Sequence, residues 1–181
     1  MIVQQTDLPE VRLYVPPVRQ DNRGGRYLSF SADELRAAGV EFSIAEEFVY
    51  SIARRDTLYG IHFQNAPQQQ ARLVSLLAGS GVDYVVDLRR DSPSYCRWIA
   101  REISAAGREH VLVPPGFGHV FRSLEDNVMM LFRVDTPFDL QYSRTISYRD
   151  PQIALDIRER EFILSEYDAA APMLAQSDCN L

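Results

Sequence analysis

Residues 57–88 read TLYGIHFQNAPQQQARLVSLLAGSGVDYVVDL, and this stretch decides the fold class. Thr57 to Phe63 and Gln70 to Leu77 are two short runs rich in aliphatic and aromatic residues, parted by polar residues and Pro67. Ala78-Gly79-Ser80-Gly81 is a turn signal, and Val82 to Leu88 is predicted as the hairpin partner of the run before it. The same punctuation continues outward. Phe48 to Ile52, Trp98 to Ile103, Glu109 to Val113, Phe117 to Phe121 and Asn127 to Val134 read as strands. On the N-terminal side, Val11 to Val15 leads into Pro16-Pro17, Asp21-Asn22-Arg23-Gly24-Gly25 is a turn, and Arg26 to Phe30 is extended. Ser31 to Gly39 is predicted as a short helix, with Ser31 as cap, Glu34 at the capping-box position and Gly39 as the stop. After about Asp150 the pattern loosens into a loop and a short helix. Many short strands with regular turns predict an all-β barrel or sandwich rather than βαβ units.

The bulk numbers narrow the function classes. A chain of 181 residues and 20.7 kDa, 46% hydrophobic, is expected to form one domain over residues 1–181 with an ample core. No apolar run reaches the roughly 18 residues of a membrane span. Met1 to Asp7 lacks the basic-then-apolar order of a signal peptide. Cys96 and Cys179 make no disulfide framework, so the expected home is the cytoplasm. A net charge of −6 and a pI near 5.1 argue against nucleic acid as partner. All 19 basic residues are arginine. Schiff-base chemistry through lysine is therefore excluded, whereas arginine's planar fork still suits phosphate and carboxylate.

A small barrel encloses one ligand, and alternate residues of each strand face it. On an unbulged strand Gly60, His62 and Gln64 share a face, as do Arg72, Val74 and Leu76. Of the three histidines, His110 sits in a polar stretch and reads as surface. His62 and His119 stand among apolar residues. Each alone reads as a satisfied core histidine; two on strands, with Arg72 nearby, point to a site. A metal centre is not expected, because the residue two after His62 is Gln64 and too few nitrogen ligands remain. Asp168 alone reads as a solvated carboxylate; beside a buried histidine it would fix the tautomer and raise its basicity.

Several segments, taken in order, resemble the dTDP-4-dehydrorhamnose 3,5-epimerases. They are Asp21-Asn22-Arg23-Gly24, Gly60-Ile61-His62-Phe63-Gln64, Gln70-Ala71-Arg72-Leu73-Val74, Val86 to Ser94, Val113 to His119, Arg149-Asp150-Pro151 and Leu164 to Asp168. The resemblance implies a cupin jelly roll with short peripheral helices, a homodimer with exchanged strands, and no cofactor. It implies a nucleotide-linked 4-keto sugar as substrate. It assigns His62 as the base that removes the proton beside the ketone, Asp168 as its support, and Arg72 to the place of the lysine that holds the enolate oxygen. His119 and Arg23 fall at sugar- and phosphate-binding positions, and Phe138 matches an aromatic that stacks on the base.

The chain also departs from that pattern. The family's acid tyrosine corresponds to Phe132, and a phenyl ring carries no exchangeable proton. Tyr59 replaces an arginine three residues before the base, and Tyr50-Ser51-Ile52-Ala53-Arg54 replaces a Gln-x-Asn-x-Ser substrate stretch. Three outcomes stay open from the residues: inversion at one carbon with another proton source such as Tyr59 or water, a different nucleotide sugar, or a repurposed, non-catalytic cupin that binds a small polar metabolite.

Overall fold

The computed structural model describes residues 2–181. Its strands are β1 Ile2–Gln5, β2 Arg12–Val15, β3 Val18–Asp21, β4 Gly24–Tyr27, β5 Glu46–Ile52, β6 Leu58–Gln64, β7 Arg72–Ala78, β8 Ser80–Asp87, β9 Trp98–Ser104, β10 His110–Val113, β11 Phe117–Ser123, β12 Val128–Val134 and β13 Ser143–Ile146. Two short helices, α1 Ala32–Ala37 and α2 Glu166–Ala169, lie outside the sheets. Ser31 caps α1 by accepting from the Glu34 N–H, and Gly39 ends it at φ 77°, a left-handed turn that favours glycine.

A six-stranded sheet in the order β1-β2-β10-β7-β12-β5 faces a five-stranded sheet in the order β13-β6-β11-β8-β9. From β5 to β8 each successive strand passes to the other sheet, the crossing pattern of a jelly roll. This corrects the hairpin expected from residues 70–88. β7 pairs with β10 and β12, while β8 pairs with β11 and β9. The Gly79 turn, at φ 79°, carries the chain across the gap instead of back along the sheet. A tight turn reads the same in sequence for either route, because the partner strands are distant in the chain. The run expected over Gln70 to Leu77 is β7, which begins at Arg72 rather than Gln70.

Three apolar clusters follow from the alternation. Val74, Leu76, Val85, Phe117, Phe121 and Met130 fill one half of the gap between the sheets. On the outer face of the five-stranded sheet, Leu58, Ile61, Phe63 and Val120 are covered by Ile153, Leu155, Ile157 and Leu174 from the C-terminal segment. Outside the six-stranded sheet, Leu35 of α1 and Phe42 pack on Leu73 and Leu112. His110, expected at the surface, is 1% exposed; its ring packs 5.0 Å from that of Tyr14 and its Nδ1 meets the Arg108 carbonyl. Its polar neighbours in sequence belong to the turn before β10, not to the strand.

Candidate active site

The other half of the gap holds a cavity of about 310 Å³. Its position depends on a bulge in β6. His119 of β11 sits opposite His62, and Phe121 opposite Tyr59, so two steps along β11 match three along β6. The extra residue turns Tyr59 onto the same face as His62 and Gln64, while Leu58, Ile61 and Phe63 join the outer cluster. The expectation of an unbulged strand is corrected here, whereas Gly60 does lie on the His62 face: a Cβ on it would meet Asp168 Oδ1 and the hydroxyl of Thr145, the cross-strand partner of His62. On β7 the alternation holds without interruption at the site: Arg72 faces the cavity and Val74 and Leu76 the core beside it.

His62 Nε2 lies 2.6 Å from Asp168 Oδ1. The carboxylate arrives from α2, whose cap residue Ser165 donates from its hydroxyl to Asp168 Oδ2 at 3.0 Å. Thr145 Oγ1 donates to Oδ1 at 3.3 Å. Burial by itself pushes this carboxyl up. The hydrogen bond and charge of His62, with Ser165 and the Gly60 N–H, outweigh burial and hold it below the usual carboxylate value. Gly60 is what lets it approach: a Cβ there would stand 2.7 Å from Asp168 Oδ1. With Nε2 tied to a carboxylate, the neutral imidazole keeps its lone pair on Nδ1.

Arg72 is 4% exposed and donates from Nη1 to the His62 carbonyl oxygen. Its Nε is buried with no protein partner. Burial lowers its pKa to about 10, so the guanidinium remains charged at neutral pH. A buried cation with a free donor, beside a histidine–carboxylate pair, is suited to an oxyanion on a bound ligand. His119 is held from behind by Asp83, with Nε2 to Oδ2 at 2.7 Å. The Phe132 ring closes the cavity 5.6 Å from that of His119 and 5.7 Å from the Arg72 guanidinium carbon. Phe138 stands at the mouth, 52% exposed.

The structure thus gathers His62, Arg72, His119, Tyr59, Phe132 and Phe138 around one space, with Asp168 bonded to His62 from behind. It does not bring Arg23 there. Arg23 sits at the tip of the β3–β4 hairpin, paired with Asp21 and 84% exposed. Sequence reading passed over Asp83, a lone acid in an apolar strand, and gave no role to Tyr50, whose ring packs against both Tyr59 and Phe132. Among the described residues no group of three or more His, Cys, Asp or Glu side chains is placed to hold a metal ion.

A family model described as dTDP-4-dehydrorhamnose 3,5-epimerase matches residues 5–176. The chain is 30% identical to the dTDP-4-dehydrorhamnose 3,5-epimerase of Salmonella typhimurium over 181 residues, 98% of this chain and 97% of that one. The enzyme of that name from Bacillus anthracis, solved with TDP and PPi bound, superposes with a TM-score of 0.92 at 30% identity and covers 96% of this chain and 99% of its own. The dTDP-6-deoxy-D-glucose-3,5-epimerase of Legionella pneumophila, solved with dTDP-4-keto-L-rhamnose, gives 0.91 at 30% identity, with 98% and 94% covered. With this likeness along nearly its whole length, the chain belongs to the dTDP-4-dehydrorhamnose 3,5-epimerase family.

Proposed function

We propose that this chain epimerises C3, C5 or both in a dTDP-linked 4-keto-6-deoxy sugar. The observation that carries the reading is the convergence of the His62–Asp168 pair and the Arg72 guanidinium on one cavity between the sheets. A proton beside a ketone becomes acidic when negative charge can move to the oxygen. His62 Nδ1 takes that proton, and Asp168 stabilises the imidazolium that forms. Arg72 directs its free N–H to the enolate oxygen. No lysine is needed for this, since the cation only holds charge. His119, Tyr59 and Phe132 shape the sugar pocket, and Phe138 at the rim is placed to stack on the nucleotide base.

The same reading covers residues 1–181 as one catalytic domain, and gives Arg23 its phosphate role across a homodimer. The β3–β4 hairpin stands free of both large sheets, with Leu28 56% exposed beside it. Val49 and Met129 are exposed on the six-stranded sheet near its β5 edge, an apolar area that a second copy would cover. We place the protein in the cytoplasm, where the free thiols of Cys96 and Cys179 are stable; no helix among the described residues is long and apolar enough to cross a membrane.

The test is deuterium wash-in from solvent. Incubated in D₂O with dTDP-4-keto-6-deoxyglucose, the protein is expected to label C3 or C5, and His62→Ala to abolish labelling. A protein that binds dTDP-sugars and labels neither carbon would be the non-catalytic cupin instead.

A further inference from the structure

Inversion needs two proton carriers on opposite faces of the planar enolate. A base alone returns the proton to the face it came from. His62 stands on β6 of the five-stranded sheet, so the donor must come from the six-stranded wall. Most cavity groups with an exchangeable proton are on the wrong side or already engaged. His119 is the direct cross-strand neighbour of His62 and is tied to Asp83. Tyr59 shares the strand and the face of His62. Tyr167 is on α2, its ring 6.2 Å from the His62 ring on the base's own side. Gln70 donates its amide to the Thr136 carbonyl, and an amide is a poor acid. Arg72 must stay charged to hold the enolate.

One phenol lines the cavity from the opposite wall: Tyr50 of β5. It pairs in register with Met130 and so faces the same way as Met130 and Phe132 on β12. Its ring lies 5.7 Å from Phe132 and 5.5 Å from Tyr59, both edge-on. Among the described residues no protein group hydrogen-bonds its hydroxyl. Burial raises its pKa, but the Arg72 charge acts in the opposite direction and favours the phenolate. For Tyr59 the neighbouring Asp168 charge adds to burial and disfavours it.

Resting on the epimerase reading above, we propose that Tyr50 is the acid that protonates the enolate carbon on the face opposite His62. The phenol O–H bond breaks as the new C–H bond forms, the enolate electrons return to restore the C=O, and the phenolate is left beside Arg72. His62 keeps the abstracted proton as imidazolium on Asp168. Both groups then reset by proton exchange with solvent, so no further reactant is consumed. The phenol that Phe132 lacks is supplied from the adjacent strand on the same face.

The experiment separates exchange from inversion. In D₂O, Tyr50→Phe is expected to keep labelling the substrate carbon within about fivefold of the unaltered protein, because His62 still removes and returns hydrogen on its own face. Formation of the inverted sugar should fall by about 10²-fold or more. Tyr59→Phe should lower labelling and inversion in step, as a binding residue does. The double variant Tyr50→Phe, Phe132→Tyr restores a phenol beside the vacated place and should recover inversion at least tenfold over Tyr50→Phe. Inversion by Tyr50→Phe within about threefold of the unaltered rate would overturn the proposal. So would a parallel loss of labelling and inversion in folded Tyr50→Phe, or uncoupling by Tyr59→Phe instead. Absence of labelling by the unaltered chain would bring down the epimerase reading itself.

Discussion

A single missing Cβ governs the basic centre. Gly60 leaves room for Asp168 to touch His62, and an added methyl would meet the carboxylate at 2.7 Å. Gly60→Ala is therefore expected to displace α2 or rotate the carboxylate. Labelling should drop by about 10- to 100-fold while the far-ultraviolet spectrum stays that of a β protein. Asp168→Asn keeps the shape but offers the imidazolium an amide dipole in place of a charge, and a loss of about 10² or more in turnover is expected. Arg72→Met removes the cation and leaves the apolar stem. A fall of about 10²–10³ in kcat, with a smaller change in KM, would mark it as a group that acts on the transition state; a change in KM alone would make it a binding residue.

At the scale of elements, the turn after β8 rests on one carboxylate. Asp87 is fully buried and accepts from the Arg89 backbone and guanidinium and from the Ser92 and Ser94 hydroxyls. Burial raises its pKa, but these donors overcome that and bring it to about 2, against an ordinary 3.8. A depressed folded-state pKa stabilises the native form above the unfolded value and loses that contribution as pH falls through the folded one. Asp87→Asn is thus expected to melt below the unaltered protein at neutral pH. The gap should narrow as pH is lowered from about 4 toward 2, in thermal melts followed by circular dichroism. The β6 bulge works at the same scale: it adds Tyr59 to the face that His62 and Gly60 share.

For the whole molecule, the site is complete only while the C-terminal segment stays docked on the sheet. The C-terminal segment covers the outer face of the five-stranded sheet through Ile153, Leu155 and Ile157, and the same segment delivers Asp168. Leu155→Ala should destabilise by about 2–5 kcal/mol. As this cover loosens, the histidine loses its partner, so activity should fail at a lower temperature than the bulk β signal. His62 and Tyr50 come from different sheets, which makes their separation a property of sandwich packing. Sedimentation at twice 20.7 kDa is the outcome that the proposed homodimer predicts, and sedimentation at 20.7 kDa would overturn it.

Local chemistry determined much of this protein. Strand runs and turns gave the all-β class, the Ser31 cap and Gly39 stop bounded α1, and the isolated polar residues His62, Arg72 and His119 in apolar strands marked the site. These signals lie within a few residues of one another, where propensity and alternation act. Only the tertiary structure decided that β7 and β8 part into different sheets, that His110 is buried, that the β6 bulge swings Tyr59 inward, and that Tyr50 lines the cavity from the wall opposite His62. Each of these depends on which distant strand supplies the hydrogen-bond partners, and the energy of that choice is spread over the whole sandwich rather than held in any short run of residues.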